Sequence, residues 1–496
     1  MNKFKTLQNK MSELADIANV MSLAHWDQEV YMPEKAAMRR GQQMATLSGM
    51  YHEKFTDSEI GKLLDDLLLD KSLNAMEQSD VFWLKREYDR SIKFTKEFVT
   101  NKSIVVSQSF MQWDKAKVAS DFSMFQDSLE KVVAIVREEA AILGFEDHPY
   151  DALIDLYEPG MTVKKLDKLF GDVKTELKPL LDKIRNKEEG DESFLLQFFP
   201  KEDQLQLSET ILEKFGFDFK AGRQDISSHP FCTSFSTDDV RVTTRVDEHD
   251  LANSIWSTVH ECGHALYEQG LPSDRYGMPS GSTISLGIHE SQSRFWENCI
   301  ARSEGFVEGY HNLFRTQFPK QFKEINNAKF YQGINVVKPS YIRTEADELT
   351  YHFHIMIRYE IEKELVKGTL KVKDVREVWN QKYKEYLGIE IVDDAKGVLQ
   401  DVHWSHGGIG YFPTYSLGSF YAAQWWHFIQ KEYPTVINDL KQMDTTKILQ
   451  WLRTNIHQQG RLYTAEELCS KLTGEPLNFN YFMKYATEKY SKIYSL

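Results

Sequence analysis

The sequence predicts a mainly α-helical protein with one small region of β-structure. Apolar residues recur at spacings of three and four along most of the chain, which is the periodicity of helices that bury one face. Only 13 prolines interrupt the 496 residues, and no Gly/Ser-rich linker or low-complexity run divides them. One stretch alternates apolar and polar residues, as a strand does. We therefore predict a single domain over residues 1–496, and leave open the alternative of two lobes.

The first 145 residues are predicted to form a helical lid. Its long helices are predicted at 11–24, 35–54, 75–97 and 121–143. The polar and aromatic run from His25 to Met32 is interpreted as a packed connection between the first two helices. The sequence then loosens around Pro159-Gly160, with a further helix predicted at 163–187.

The alternating stretch predicts an edge strand with one ionic face, directly before the next helix. Its apolar positions alternate with Asp239, Arg241, Thr243 and Arg245. Two interpretations are equally supported. The strand faces solvent, or it offers its edge to the backbone of a peptide substrate, as edge strands of zinc peptidases do.

The helix that follows carries His260-Glu261-Cys262-Gly263-His264. An apolar stripe and a plausible N-cap, Asp250, specify this helix. Side chains four residues apart share one helix face, so the two imidazoles can hold one Zn²⁺ while Glu261 reaches a water beside the ion. The alternative interpretation is an ordinary charged helix face. The motif favours a zinc peptidase.

A third metal ligand must come from elsewhere in the chain. Tyr267 and Gly270 occupy the positions where a metzincin would have glycine and histidine. Glu290 lies 26 residues after His264 on a helix predicted at 284–302, far enough for the chain to turn back past the metal. Glu297 on the same helix is the alternative, whereas Glu268 lies too far along the first helix.

Two later regions carry candidate substrate-binding groups. Arg343 precedes a helix that we predict Thr344 to cap, with Asp347 three residues later. In residues 397–415, glycines after His406 permit close backbone approach, and histidines and tyrosines supply neutral donors suited to an oxyanion. Residues 200–420 are thus predicted to form the metal-binding and substrate half. Residues 420–496 form a helical scaffold, with helices predicted at 441–455 and 464–472.

Charge and composition exclude several partners. The net charge of −14 makes a nucleic-acid partner unexpected, because such binding depends on clustered cations. The N-terminal sequence lacks the apolar core of a signal peptide and no stretch reaches the ~20 apolar residues of a membrane span, so we predict a cytoplasmic protein without membrane contact. The four scattered cysteines are predicted to be reduced and mostly buried. They are Cys232, Cys262, Cys299 and Cys469.

Taken together, the motifs resemble those of the carboxypeptidase Taq family. The matching motifs, in chain order, are His229-Pro230-Phe231, Asp239-x-Arg241-x-Thr243, His260-Glu261-x-x-His264, His289-Glu290-Ser291-Gln292, Ile342-Arg343-x-x-Ala346-Asp347 and Gly397-x-x-Gln400-Asp401-x-His403-Trp404. The N-terminal run from Trp26 to Pro33 is similar to the family as well. Six motifs in one order are far more specific than the zinc motif alone.

The resemblance implies a fold, an assembly and an activity. It implies a helical body similar to neurolysin and angiotensin-converting enzyme, with a deep substrate groove and a small antiparallel sheet beside the metal. It also implies homodimers that release single C-terminal residues from peptides with broad specificity. By analogy with thimet-like oligopeptidases, it implies transition-state stabilisation by His406, Tyr411 and Tyr415.

The predicted mechanism needs one ion per chain, Zn²⁺ with Co²⁺ as the alternative. His260, His264 and Glu290 hold the ion, and Glu261 acts as general base toward the attacking water. The substrate's free C-terminal carboxylate would pair with a guanidinium, and the candidates are Arg343 and Arg241.

His229 and His403 lie within the family motifs and are further candidates for substrate binding. Two other functions stay open on the residues alone. One is a zinc oligopeptidase that cuts internally. The other is a helical binding protein with a non-catalytic metal site.

Overall fold

The computed structural model describes residues 2–496, and within them the mainly helical prediction is confirmed. The helices of the first part are α1 (Lys3–Val30), α2 (Ala37–Phe55), α3 (Ser58–Leu68), α4 (Ala75–Ser91), α5 (Lys96–Ala119), α6 (Ser123–Leu143), α7 (Pro149–Ile154), α8 (Val163–Arg185) and α9 (Lys201–Phe215). The strands β1 (Gly222–Ile226), β2 (Cys232–Ser236) and β3 (Asp239–Thr244) follow. The later helices are α10 (Leu251–Glu268), α11 (Leu286–Arg294), α12 (Glu304–Gln317), α13 (Asn327–Gly333), α14 (Tyr351–Lys367), α15 (Val375–Leu387), α16 (Pro413–Glu432), α17 (Val436–Lys441), α18 (Thr446–Asn455), α19 (Ala465–Thr473) and α20 (Asn480–Tyr494).

The chain folds as two compact units, each assembled from three stretches of sequence. The first unit comprises the residues up to Ser91, Asp191–Ile334 and Tyr421–Leu477. The second comprises Ile92–Gly190, Asn335–Phe420 and Asn478–Leu496. The single-domain assignment, the deep groove and the similarity to neurolysin and angiotensin-converting enzyme stay predictions. Among residues 2–496, no helix combines the length and apolar character needed to cross a bilayer.

Several N-terminal helix boundaries differ from the predicted ones. Helix α1 continues to Val30, so most of the run from His25 is helical rather than a connection, and Pro33 is the first residue that cannot continue it. The helix predicted at 75–97 is α4, which ends at Ser91. Helix α5, which the side chain of Thr95 caps, was not predicted. Helix α3 was not predicted, although Asp57 caps it by accepting a hydrogen bond from the amide of Glu59.

The sheet is mixed, which corrects the predicted antiparallel arrangement. Within residues 2–496 its strand order is β1-β3-β2, with β1 parallel and β2 antiparallel to β3. The chain reverses once after β1 and again after β2, so β1 and β3 run in the same direction. Strand β3 is therefore central, and its prediction as an edge strand was wrong. Val240 and Val242, fully or almost fully buried, suit this middle position.

Helix α10 matches its prediction closely. The carboxylate of Asp250 accepts a hydrogen bond from the amide of Asn253 at 3.1 Å, which confirms the N-cap. The stripe of Leu251, Ile255 and Val259 is buried as α10 packs against β3, α9 and α11. The metal motif therefore lies on a helix fixed from several sides.

The helix predicted at 284–302 is α11 followed by a π-helical turn, Phe295–Ile300. The hydroxyl of Ser285 caps α11 by accepting from the amide of Ile288. A π-turn adds a residue to the helical repeat and so shifts the side chains that follow it. Glu297 lies within this turn.

In the second unit, the predicted cap at Thr344 was wrong. Arg343–Glu345 forms a single 3-10 turn, and α14 begins only at Tyr351. The carboxylate of Asp347 accepts from the amides of Leu349 and Thr350 at 2.9 and 3.0 Å, so it closes the turn that leads into α14.

The scaffold helices and the thiols agree with the sequence. The predicted helices at 441–455 and 464–472 correspond to α18 and α19, which lie in the first unit. Thr464 caps α19 in a capping box with Glu467. The four cysteines are free, and all but Cys232 are buried.

Candidate active site

The predicted metal ligands converge in the first unit. Nε2 of His260 lies 3.7 Å from Oε2 of Glu290, and Nε2 of His264 lies 3.5 Å from the same oxygen. The ligand atoms of these three residues all lie within 4.8 Å of one another. Two imidazole nitrogens and a carboxylate oxygen form a donor set that fits Zn²⁺. The residues present therefore suit the ion that the motif predicts.

Gly263 brings the two ligand-bearing helices together. A β-carbon at this position would lie 2.5 Å from the carbonyl oxygen of Gln292 and 2.6 Å from Cα of Ser293. Only glycine permits such close approach of α10 to the backbone of α11. The glycine inside the His260-Glu261-Cys262-Gly263-His264 motif thus allows Glu290 to reach the two histidines.

The outward nitrogens of both histidines are also bonded. Nδ1 of His260 lies 2.8 Å from Oε2 of Glu297. Nδ1 of His264 lies 2.6 Å from Nδ1 of His289, whose Nε2 lies 2.9 Å from Oε1 of Glu268. Acceptors behind Nδ1 hold the proton there and leave the Nε2 lone pairs for a metal. Glu297 thus contacts His260 directly from outside the ligand group, whereas Glu268 supports His264 through His289.

Burial and neighbouring charges shift the pKa values of these groups in different directions. Burial raises the pKa of Glu261 to about 7. Burial, together with His289, lowers the pKa of His264 to about 3, so its ring is neutral at pH 7 as a ligand must be. Burial opposes ionisation of Glu290, but Arg294 and the histidines hold the pKa of this carboxyl well below its usual range. Glu290 is therefore a carboxylate at neutral pH.

Arg241 and His229 also belong to the first unit but differ in their surroundings. Nε and Nη2 of Arg241 donate to the two oxygens of Asp239 at 2.8 and 2.9 Å. Its guanidinium lies 4.4 Å from the ring centre of Trp26 and 4.9 Å from that of Phe235. His229 is exposed in the loop between β1 and β2. Arg241 is thus already neutralised by one carboxylate.

Arg343 is placed in the second unit, in a cluster with excess positive charge. It is 6% exposed, and its Nε donates to Oδ1 of Asp401 at 2.9 Å. Arg358, fully buried, donates through Nε to Oδ2 of the same carboxylate at 2.8 Å. Burial opposes ionisation of Asp401, but the two arginines lower its pKa far below the usual range. Two guanidinium cations against one carboxylate leave one positive charge.

The residues of the predicted oxyanion loop lie in the same unit. Nε2 of His403 lies 3.0 Å from the hydroxyl of Tyr415, whose ring centre lies 4.9 Å from Cζ of Arg343. Burial and Arg343 lower the pKa of His403 to about 3, so it is neutral. Tyr411 packs on Tyr415 with ring centres 5.2 Å apart. His406 is exposed and stacks on Phe110. Tyr415, which lies in the first turn of α16, is therefore the predicted oxyanion residue closest to the arginine.

Glu362 of α14 holds the predicted oxyanion loop in place through hydrogen bonds to its buried carboxylate. Its carboxylate accepts from Nε1 of Trp404 at 2.8 Å, from the hydroxyl of Tyr150 at 2.8 Å and from the amide of Gly410 at 3.1 Å. Gly410 has φ +99°, and a β-carbon there would lie 2.9 Å from the backbone of Leu153. The loop is thus fixed by a buried carboxylate and a backbone conformation that favours glycine.

The buried Glu362 predicts a specific dependence of stability on pH. Burial raises its pKa from 4.5 to about 7, so the folded chain binds this proton more tightly than the unfolded chain. The resulting stabilisation is complete below about pH 4.5 and is lost as the pH rises through about 7. Relative to Glu362→Gln, the wild-type free energy of unfolding should fall by about 3 kcal/mol between about pH 4.5 and pH 8, from a pKa difference of about 2.5 at about 1.4 kcal/mol per unit. Denaturant unfolding of both proteins across this range measures the difference, and parallel curves would contradict it.

The structure adds functional candidates that sequence reasoning missed. They are Glu268, His289, Arg294, Arg358 and Glu362. Arg294 could have been found, since it lies four residues after Glu290 and therefore on the same helix face. His289 directly precedes Glu290 but gave no signal of a contact with His264. The contacts of Arg358 and Glu362 join residues far apart in sequence, and no spacing indicates them.

Known proteins resemble this chain over nearly its whole length. The family model for the carboxypeptidase Taq (M32) metallopeptidase matches residues 6–490. The chain is 39% identical to Carboxypeptidase 1 of Bacillus subtilis (strain 168) over 493 residues, 98% of this chain and 97% of that protein. It is also 39% identical to Thermostable carboxypeptidase 1 of Pyrococcus furiosus, with 98% of each protein covered. The crystal structure of an M32 carboxypeptidase from Deinococcus radiodurans R1 superposes with a TM-score of 0.98 at 35% identity, covering all of both chains. The chain belongs to the carboxypeptidase Taq (M32) family of metallopeptidases.

Proposed function

We propose that this metal-dependent carboxypeptidase uses Zn²⁺ to release single C-terminal amino acids from peptides, with Glu261 as the general base. The observation that carries the proposal is the convergence of His260, His264 and Glu290. Glu261 is buried on the helix that carries the two histidines. Three protein donors fit a catalytic site that keeps a position for water or substrate. One ion per chain is expected, with Co²⁺ as the alternative metal.

The chemistry divides between the metal and the chain. A bound divalent cation supplies Lewis acidity, which acidifies water and polarises a carbonyl group. Glu261 accepts a proton from the water as the water oxygen bonds to the scissile carbonyl carbon. Glu261 then donates that proton to the amine nitrogen as the C–N bond breaks. A carboxylate whose pKa burial raises to about 7 suits both transfers near neutral pH.

The remaining roles are assigned to the second unit. We assign transition-state stabilisation to Tyr415 with Tyr411, because His403 holds the Tyr415 hydroxyl at 3.0 Å. We assign the substrate's C-terminal carboxylate to Arg343 rather than to Arg241. Arg343 shares its carboxylate partner with a second arginine, whereas Arg241 has Asp239 to itself. His406 and His229 keep lower priority because both are exposed.

The test is hydrolysis of one peptide in free-acid and C-terminally amidated forms, with and without a chelator. Mass spectrometry should show stepwise loss of C-terminal residues from the free acid, poor cleavage of the amide, and no reaction after chelation. Internal fragments from both forms would instead identify an oligopeptidase. Intact peptide with fully metallated protein would identify a non-catalytic metal site.

Arg343→Ala should selectively weaken cleavage of free-acid peptides. Leaving one member of a buried charge pair without its partner typically costs about 2–5 kcal/mol. We expect kcat/KM for the free acid to fall by at least about tenfold, roughly 1.4 kcal/mol. Cleavage of the amidated peptide, already poor, should scarcely change.

Arg241→Ala is the matched control, because it removes an arginine already neutralised by Asp239. Its effect on the free acid should be smaller. Equal losses for acid and amide in Arg343→Ala would show that this arginine supports the structure rather than the substrate's carboxylate. The homodimer implied by the family resemblance is tested separately, by light scattering of the purified protein.

A further inference from the structure

Arg294 lies between two carboxylates of the metal site. It follows Glu290 by one helical turn, and its Nε donates to Oε1 of Glu290 at 2.7 Å. Its Nη1 donates to Oε2 of Glu297 at 3.2 Å. The three side chains are only 14%, 7% and 13% exposed, so these contacts are largely shielded from water. The guanidinium is therefore fixed within the site.

The two oxygens of Glu290 have different surroundings. Oε2 faces Nε2 of His260 and Nε2 of His264, at 3.7 and 3.5 Å, and also lies 3.2 Å from the hydroxyl of Ser293. Oε1 is bonded to Arg294 instead. Resting on the proposed metal site, we infer that Arg294 is a positioning residue that withholds Oε1 from the divalent cation, so that Glu290 contributes a single oxygen.

This arrangement controls how many positions the protein occupies on the metal. A carboxylate can bind a cation through one oxygen or through both. With His260 and His264, one oxygen from Glu290 makes three protein donors and leaves a position for water or substrate, as catalytic zinc sites require. A second oxygen would compete for that position. Arg294 thus protects the open position.

The positive charge of Arg294 means that the change in metal affinity on its replacement distinguishes the proposed role from a purely structural one. A guanidinium close to a divalent cation repels it, so Arg294 opposes metal binding even as it orders Glu290. If Arg294 only ordered the helix, its loss would disorder Glu290 and weaken metal binding. If it withholds Oε1, its loss frees a second donor oxygen and removes a repelling charge. Metal binding should then be as tight as in the wild type or tighter, while turnover falls.

The experiment compares Arg294→Met, which keeps side-chain length without charge, with Arg294→Lys, which keeps the charge and one donor. Zn²⁺ affinity is measured by competition with a chelator, and kcat and KM with a free-acid peptide. We expect Arg294→Met to bind Zn²⁺ at least as tightly as the wild type and to lose kcat by about 100-fold, with KM nearly unchanged. Arg294→Lys should recover part of the lost kcat.

Failure of the proposed metal site and failure of the role inferred for Arg294 would give different results. If the wild type binds no Zn²⁺, the metal site itself fails. If the wild type binds Zn²⁺ but Arg294→Met binds it about tenfold or more weakly, or turns over normally, the role of Arg294 is overturned. Arg294→Gln, a neutral but polar replacement, takes the same measurements if Arg294→Met does not fold. It must show the same pairing of retained metal and lost turnover.

Discussion

Glu261→Gln should keep its metal and lose turnover by about 10²- to 10⁴-fold, the range that general acid and base catalysis contributes. The carboxamide has nearly the size and shape of the carboxylate but cannot accept a proton from water. Glu261 is not among the converging ligand atoms, so the substitution leaves the donor set of His260, His264 and Glu290 intact. Loss of turnover without loss of metal is therefore the expected pair.

The structure explains why this position suits a base. Glu261 is 7% exposed, and burial raises its pKa to about 7, close to neutral operating pH. The measurements are metal content after dialysis and kcat for a free-acid peptide. Glu268→Gln is the comparison on the same helix. Its carboxamide still offers an oxygen to Nε2 of His289, so we expect a loss within about tenfold. Near-normal turnover in fully metallated Glu261→Gln would refute the assignment.

What the sequence predicted well depends on local geometry. The metal helix, its cap at Asp250 and the shared face of His260 and His264 follow from the helical repeat alone, and the structure reproduces the helix and the cap. The strand was predicted for the same reason, since alternation identifies a pleated segment. Alternation does not reveal which strands pair, so the central place of β3 and its parallel neighbour could not be predicted.

What the sequence could not predict depends on contacts between distant residues. Arg358 and Asp401 are separated by 43 positions, and Tyr150 and Glu362 by 212. The surroundings of Glu297, the alternative ligand, could not be predicted for a more local reason. An uninterrupted helix was predicted through Glu290 and Glu297, and the helical repeat does not reveal the π-turn beginning at Phe295, in which Glu297 lies 2.8 Å from Nδ1 of His260.

Glu290→Ala should cause the larger loss of metal of the two carboxylate substitutions on this helix. Glu290 offers Oε2 to the same point as Nε2 of His260 and Nε2 of His264, so its removal takes away one of three donors. Glu297 instead contacts Nδ1 of His260 at 2.8 Å. Changing such an outer partner typically lowers metal affinity by about 10- to 100-fold. We expect Glu297→Ala to fall in that range and Glu290→Ala to exceed about 100-fold.

The comparison is fair because both carboxylates also bind Arg294, so each substitution leaves that guanidinium with one carboxylate fewer. Zn²⁺ affinity by chelator competition, under one buffer and one dialysis protocol, gives the order directly. Thermal unfolding of both apoproteins controls for damage to α11. A greater loss of affinity in Glu297→Ala than in Glu290→Ala would reverse the assignment and make Glu297 the ligand. In that case Glu290 would be the residue that orients His260 and His264 from outside, and the inference drawn for Arg294 would fail with it.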